Sequence, residues 1–358
     1  MRKSKPPRRT KPGPVVVTLV HGTFARKAAW TQMDSALSRA LSAAGLQVSR
    51  FTWSGRNSFH ARAHAARELA DHLGRTAREH PGARQWVVAH SHGGNVALHA
   101  VERLRQQGQV SPVPVVTLAT PFIHARTRAS SGLFVGSAVL FGVLLLIEAG
   151  LAIATGGHSW FNRALIAAGG VFAVELALCI VGAVRHRDIL GEGCGERLVD
   201  AIQAPVVSSR NLVAIRAVGD EASLGLASGQ LLGWLGSLVA SLFGRSTLWL
   251  LIIIAVQLSA LLTAILGLGF SVAIIWCGGF GFFCLGGVIT MLAASLTFGL
   301  DDGPFVALFA SISAEATPPG EARAVQLEPF PSTGKLKLTH SRLYDEPEVI
   351  RRILQEIG

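Results

Sequence analysis

Ser91 sits in the one stretch of this chain where residue types and spacing spell out a reaction. Trp86-Val87-Val88-Ala89 is a short apolar run that stops at His90-Ser91-His92-Gly93-Gly94, and Asn95-Val96-Ala97 opens a helical pattern. A serine between a strand and a helix is forced into a sharp turn that lifts its hydroxyl clear of the sheet, as a nucleophile requires. Only small residues fit two positions before and two after it, and these are Ala89 and Gly93. Upstream, Val15-Val16-Val17-Thr18-Leu19-Val20 has no polar alternation, which predicts a buried parallel strand. It ends in His21-Gly22-Thr23-Phe24, where the glycine lets backbone approach a ligand closely.

His21-Gly22-Thr23-Phe24, Ala89-His90-Ser91-His92-Gly93-Gly94 and Thr117-Leu118-Ala119-Thr120-Pro121-Phe122 together resemble an α/β-hydrolase of the lipase and serine-esterase kind. The resemblance covers residues 15–125 well, and Asn211 to Asp220 and His340 to the end in outline. Its departure is Ala89, which stands where the first elbow glycine is usual. The resemblance implies an oxyanion hole made by the backbone N–H of His92 together with that of Thr23 or Phe24. It also implies that an acid and then a histidine follow the serine along the chain. Asn211 to Val218 reads as a strand with Asp220 just beyond it, Glu221 being the substitute, and His340 is the one histidine after Asp220. The implied triad is therefore Ser91, His340 as base and then acid, and Asp220 as the group that orients His340.

The elements that must hold these groups are interrupted by apolar sequence. Half of the residues are hydrophobic and only 15% are charged, with a mean hydropathy of +0.43. Between Arg245 and Asp301 no side chain is charged, which is room for two membrane spans of about 20 residues each. We place spans at Leu248–Leu266 and Ile274–Phe298, and an earlier pair at Leu133–Ala154 and Ala164–Val184. Strands before and after each pair must share one sheet, so each insertion crosses the bilayer an even number of times. The expected fold is an α/β-hydrolase, mostly parallel sheet, with two inserted transmembrane hairpins.

Its expected parts are a basic arm (1–14), hydrolase core (15–128), hairpin 1 (129–185) and acid strand (186–223). An interfacial or lid helix (224–244), hairpin 2 (245–300) and a C-terminal core part carrying His340 (301–358) complete it. Arg2, Lys3, Lys5, Arg8, Arg9 and Lys11 lie in the arm, and Arg126, Arg128, Arg185, Arg187 and Arg245 flank spans on the same side. Arg163 alone lies opposite, so the hydrolase is expected to face the cytoplasm of a bacterial inner-membrane protein. The arm has no apolar run directly behind its charges and does not read as a signal peptide.

The net charge of +11 fits an anionic bilayer surface, and no nucleic-acid motif accompanies it. No cofactor is expected. His90 and His92 lack a ligand set for metal, and His60 and His64 read as one solvated helix face. Cys179, Cys277 and Cys284 fall in spans, Cys194 in a glycine-rich loop, and no disulfide is implied. Glu148 and Glu175 fall inside spans, where protonated carboxyls bonded between helices are the simpler reading. Leu224 to Phe243 has apolar residues near helical spacing and follows Asp220, as a lid or an interfacial helix would. The expected activity is hydrolysis of carboxylic esters, of lipids by location. A thioesterase or acyltransferase would use the same triad, and a catalytically idle scaffold in a membrane complex is the alternative from another class.

Overall fold

The computed structural model describes residues 13–109, 111–127, 160–188, 193–208, 210–217, 303–315, 317–320, 323–327 and 343–358, with a few isolated positions between 143 and 154 and Ser295 and Gly299. The lid segment and, apart from Ser295, the second hairpin's expected spans lie outside the described residues, as do Glu148, Cys277 and Cys284.

Six parallel strands form one sheet. They are β1 (Val15–Val20), β2 (Gln47–Phe51), β3 (Arg84–His90), β4 (Val115–Leu118), β6 (Leu212–Ala217) and β8 (Arg323–Leu327), in the order β2-β1-β3-β4-β6-β8. A doubly wound mostly parallel sheet with helices on both faces is the α/β-hydrolase type of architecture expected from the sequence. Helices α1 (Ala36–Ala43) and α7 (Pro347–Ile357) cover one face, while α2 (Phe59–Glu79) and α3 (Gly93–Gln106) cover the other. Successive strand residues serve opposite faces: Val87 packs on the α2 and α3 side, Val88 on the α1 and α7 side. The strand order reverses direction at β1, so a crevice opens beyond the carboxyl ends of β1 and β3.

Local sequence explains the main helices. Ser58 caps α2 by accepting from the Ala61 N–H, and Ser35 caps α1 by accepting from Ser38. Val349, Ile353 and Ile357 recur at helical spacing on α7, and all three are buried. Each such side chain contributes about 1.5–3 kcal/mol, so α7 ties the C-terminal segment firmly to the sheet. Glu356 adds ion pairs to Arg352 at 2.9 Å and to Arg323 of β8.

A second, two-stranded ribbon was not expected. β5 (Phe122–Thr127) pairs antiparallel with β7 (Ala310–Glu315), with Phe122 opposite Glu315 and Thr127 opposite Ala310. β5 leads into the first insertion and β7 follows the second, so the ribbon joins the bases of both. Helix α4 (Trp160–Arg185) returns from the first insertion, and α6 (Gly303–Phe309) packs on it. Phe305, Phe59 and His186 form an aromatic cluster there, with His186 stacked on Phe305 at 5.4 Å. Gly182 is needed because a Cβ would overlap Phe305.

α4 begins at Trp160, inside the segment expected to connect the first two spans, and contains the whole of Ala164–Val184. Among the described residues, no helix is long and apolar enough to cross a membrane. Cys194 does not sit in a loop: it opens helix α5 (Cys194–Ile202) and is buried, with Leu198, Val199 and Ile202 on the same face. The glycines around it caused the misreading. Gly193, in the left-handed region at φ 71°, is the cap that starts the helix rather than part of a continuing loop.

Three imidazoles inside the fold lie below their ordinary value. Burial is the leading cause for His21, His72 and His99, and His99 is pushed down to about 4. Unfolding returns each toward 6.5, so between that pH and the folded values the unfolded chain binds more protons. Stability should therefore fall as pH drops through this window. A melting temperature in neutral detergent lower at about pH 5 than at about pH 7 is the expected result, and an unchanged one contradicts it.

Candidate active site

β3 ends at His90, and Ser91 follows in the left-handed region with φ 53°. A non-glycine residue held there costs about 1–3 kcal/mol and persists only when its surroundings over-determine it. Here they do. The Ser91 N–H donates to Leu118 O at 2.9 Å, and Ser91 O accepts from Gly94 N–H at 2.9 Å and from the Thr120 hydroxyl at 3.0 Å. α3 starts two residues later, so its amide dipoles point toward the serine, as suits a site of developing negative charge.

The close approach explains the glycines. A Cβ on Gly93 would lie 2.5 Å from His21 O and 2.9 Å from Val20 O. One on Gly22 would lie 2.8 Å from Ser91 Cβ and 3.4 Å from Ser91 Oγ, so Gly22 lies against the nucleophile. A Cβ on Gly94 would overlap the Thr120 side chain. Ala89, by contrast, is fully buried in β3 between Val20 and Thr117 of the neighbouring strands. Its methyl is accommodated where the first elbow glycine is usual.

The loop after β1 is held by His21. Trp53 donates its backbone N–H to His21 Nε2 at 3.1 Å and its indole N–H to His21 O at 2.8 Å. The Nδ1 side therefore carries the proton and donates to Gly22 O at 2.8 Å. With both ring nitrogens engaged and burial lowering its pKa, His21 is a neutral positioning group. Phe24, at φ 60°, donates its N–H to Gly55 O at 2.7 Å. That N–H is thus committed elsewhere, which leaves Thr23 as the loop's candidate oxyanion donor beside His92. The Phe24 ring is 86% exposed.

Asp220 and His340 lie outside the described residues, three positions past β6 and three before Leu343 respectively. Three groups that sequence reasoning missed lie around the elbow and the loop after β1. Tyr344 stacks on Trp30 at 5.2 Å and meets His90, the residue before the nucleophile, edge-on at 5.2 Å. Asn95, one turn into α3 and 2% exposed, donates to Pro121 O at 2.8 Å and accepts from Ile123 N–H at 3.4 Å. Trp53 follows β2 as an ordinary aromatic would, with no pattern to mark its two bonds to His21. Asn95 alone had a signal, a polar residue on the inward side of an apolar helix.

His64 pairs with Glu68 at 3.2 Å on the exposed side of α2, whereas His60 faces His186. Among the described residues no cluster has the make-up of a metal site.

A parallel doubly wound sheet with a left-handed serine at its switch point is an α/β-hydrolase-like arrangement. Residues 12–159 match the family model described as "Putative serine esterase (DUF676)". Among solved structures, "RedJ-Thioesterase from the Prodiginine biosynthetic pathway in Streptomyces coelicolor" is 17% identical over 34% of this chain and 48% of its own, with a TM-score of 0.23. A second RedJ structure, described as having a PEG molecule bound in the active site, matches at 17% identity over 34% of this chain and 51% of its own, again with a TM-score of 0.23. The chain thus spans about half the length of these thioesterases. No curated protein matches.

Proposed function

We propose that the protein is a membrane-embedded serine hydrolase that cleaves carboxylic esters of lipids through an acyl-enzyme. The observation that carries the reading is Ser91, held left-handed at the sheet's switch point with Gly22 close beside it. Ser91 Oγ attacks the acyl carbonyl while His340 takes its proton and Asp220 orients the imidazole. The N–H groups of His92 and Thr23 hold the oxyanion. Collapse breaks the ester bond, His340 returns the proton to the leaving alkoxide, and water then hydrolyses the acyl-enzyme with His340 as base.

Chain connectivity supports the two distant members. β6 lies two strands from β3 in the sheet, about 10 Å away, and Asp220 is three residues past its end. His340 is four residues before Tyr344, whose ring meets that of His90 edge-on.

The bilayer reading rests on side chains that a water-soluble domain would hide. Val184 is 69% exposed and Ile153 64%, and Val174, Ile180 and Val181 are exposed on the same insertion. α4 runs 26 residues, about 39 Å, and its sequence from Ala164 to Val184 carries one charge, Glu175. Among the described residues no helix is long and apolar enough to cross a membrane, and the embedding is inferred from the sequence of the whole insertion.

A fluorophosphonate probe added to membranes holding the protein should label wild type and spare Ser91→Ala. Labelling of both, or of neither, overturns the assignment of the nucleophile. Retention of the protein in membranes after an alkaline carbonate wash is expected, and its release would overturn the embedding.

A further inference from the structure

A second concavity lies away from the nucleophile, on the outer side of α3. It is a groove of about 670 Å³ between α2, α3 and the turn that follows α5, within the size range of small-ligand sites. Its two ends differ in character. Near the starts of α2 and α3 the lining is apolar, with Phe59, Ala63 and Ile123, joined by Val206 from the turn. Further along the helices it is cationic, with Arg67 and Arg103, while Arg62 lies between Phe59 and Ala63 on α2. Phe59 and Arg67 are eight residues apart on α2, so the two ends are separated by about 12 Å.

The charges do not cancel within the wall. Glu102 is engaged by Arg105 through two bonds, at 2.8 and 2.7 Å, so that pair is neutral by itself. Against Arg62, Arg67 and Arg103 the lining then offers one further carboxylate, Asp200. Arg62 is only 6% exposed, and its guanidinium donates to Asn57 Oδ1 at 3.0 Å, which aligns it. Its charge is felt inside the groove: after burial, it is the next cause that holds the His99 imidazole low. His99 is therefore neutral at pH 7 and leaves the positive balance to the arginines.

We propose that this groove binds a single-chain anionic amphiphile, with its phosphate or carboxylate between Arg67 and Arg103 and its acyl chain along Phe59, Ala63 and Ile123. Guanidinium groups bond such heads through paired charge-assisted hydrogen bonds, and an uncharged head would leave those donors facing the chain. A fatty acid and a lysophosphatidic acid share this chemistry. The site is independent of the reaction at Ser91. It borders Asn95, which is bonded to Pro121 and Ile123 one turn from the nucleophile, so an occupant touches the framework of the elbow.

The test is calorimetric titration of the full chain, carrying Ser91→Ala so that no ligand is consumed, in a neutral maltoside detergent. Lauroyl lysophosphatidic acid or laurate should bind at least about tenfold more tightly than monolauroylglycerol, which has the same chain without the charge. Arg67→Gln with Arg103→Gln, both at exposed positions, should weaken the anionic ligand at least about tenfold, with the melting temperature as the check on folding. Ala63→Trp, which fills the apolar end, should weaken it as well. Equal binding of monolauroylglycerol, or binding unchanged in the double variant, overturns the anionic head. Inorganic phosphate binding as tightly as lysophosphatidic acid overturns the acyl chain and leaves a free-phosphate site. Loss of all esterase activity in the wild type would bear on Ser91 and leave these results intact.

Discussion

Ser91→Ala is expected to lower kcat/KM for a water-soluble ester by about 10⁴- to 10⁶-fold, the range seen when a nucleophile that works as part of a unit is removed. His340→Ala should cost a similar factor, and the double variant little more, because neither group performs its step without the other. What survives is the contribution of the His92 and Thr23 amides and of substrate binding. Retention of more than about one hundredth of wild-type turnover in Ser91→Ala would overturn the role of Ser91. The backbone adds a second signature. Alanine at 91 keeps a side chain in the left-handed region at φ 53°, whereas glycine does not. Ser91→Gly should therefore be inactive yet more stable than Ser91→Ala, by about 1 kcal/mol. Equal melting temperatures for the two would show that the turn carries no such strain.

Gly93→Ala should be nearly as damaging although it adds only one methyl. That methyl would stand 2.5 Å from His21 O and 2.9 Å from Val20 O, both backbone atoms of β1 and its exit. Neither can swing aside as a long side chain does, so α3 must lift from the sheet. The cost in stability is about 1–3 kcal/mol, as for other overpacked cores. The cost in rate is about 10²-fold or more, since the His92 N–H and Ser91 move together relative to the Thr23 peptide. Gly74→Ala is the matched control. It lies inside α2, where the nearest atom to a new Cβ is the end of the Arg78 side chain at 3.8 Å. That variant should gain about 0.5–1 kcal/mol from helix propensity, with full activity. Equal activities for Gly93→Ala and Gly74→Ala would overturn the close-approach account.

The elbow was legible because it is local. A strand of small and β-branched residues, a serine and two glycines must come in that order for backbone to pass so close to backbone. The same holds for β1 and His21-Gly22, and for β6, where apolar runs without alternation indicate strands buried on both faces. That the Phe24 N–H is taken could not be read, because its acceptor, the Gly55 carbonyl, lies some thirty residues away. Cys194 was misread for a related reason: a left-handed glycine caps a helix start as readily as it extends a loop, and only the buried face of α5 separates the two cases.

By itself the sequence determined which residues can react and the order in which a doubly wound sheet would deliver them, since period, small-residue spacing and charge-free runs are properties of the chain. Only the tertiary structure decided what surrounds Ser91. Trp53 sets the tautomer of His21, Tyr344 brings the C-terminal segment onto His90 and Trp30, and the ribbon of β5 and β7 ties the bases of the two insertions together. These contacts join residues far apart along the chain, and no local pattern encodes them because each is chosen by packing across the sheet. Ser91 is nucleophilic in type wherever it stands, and the fold supplies the strained turn that holds it.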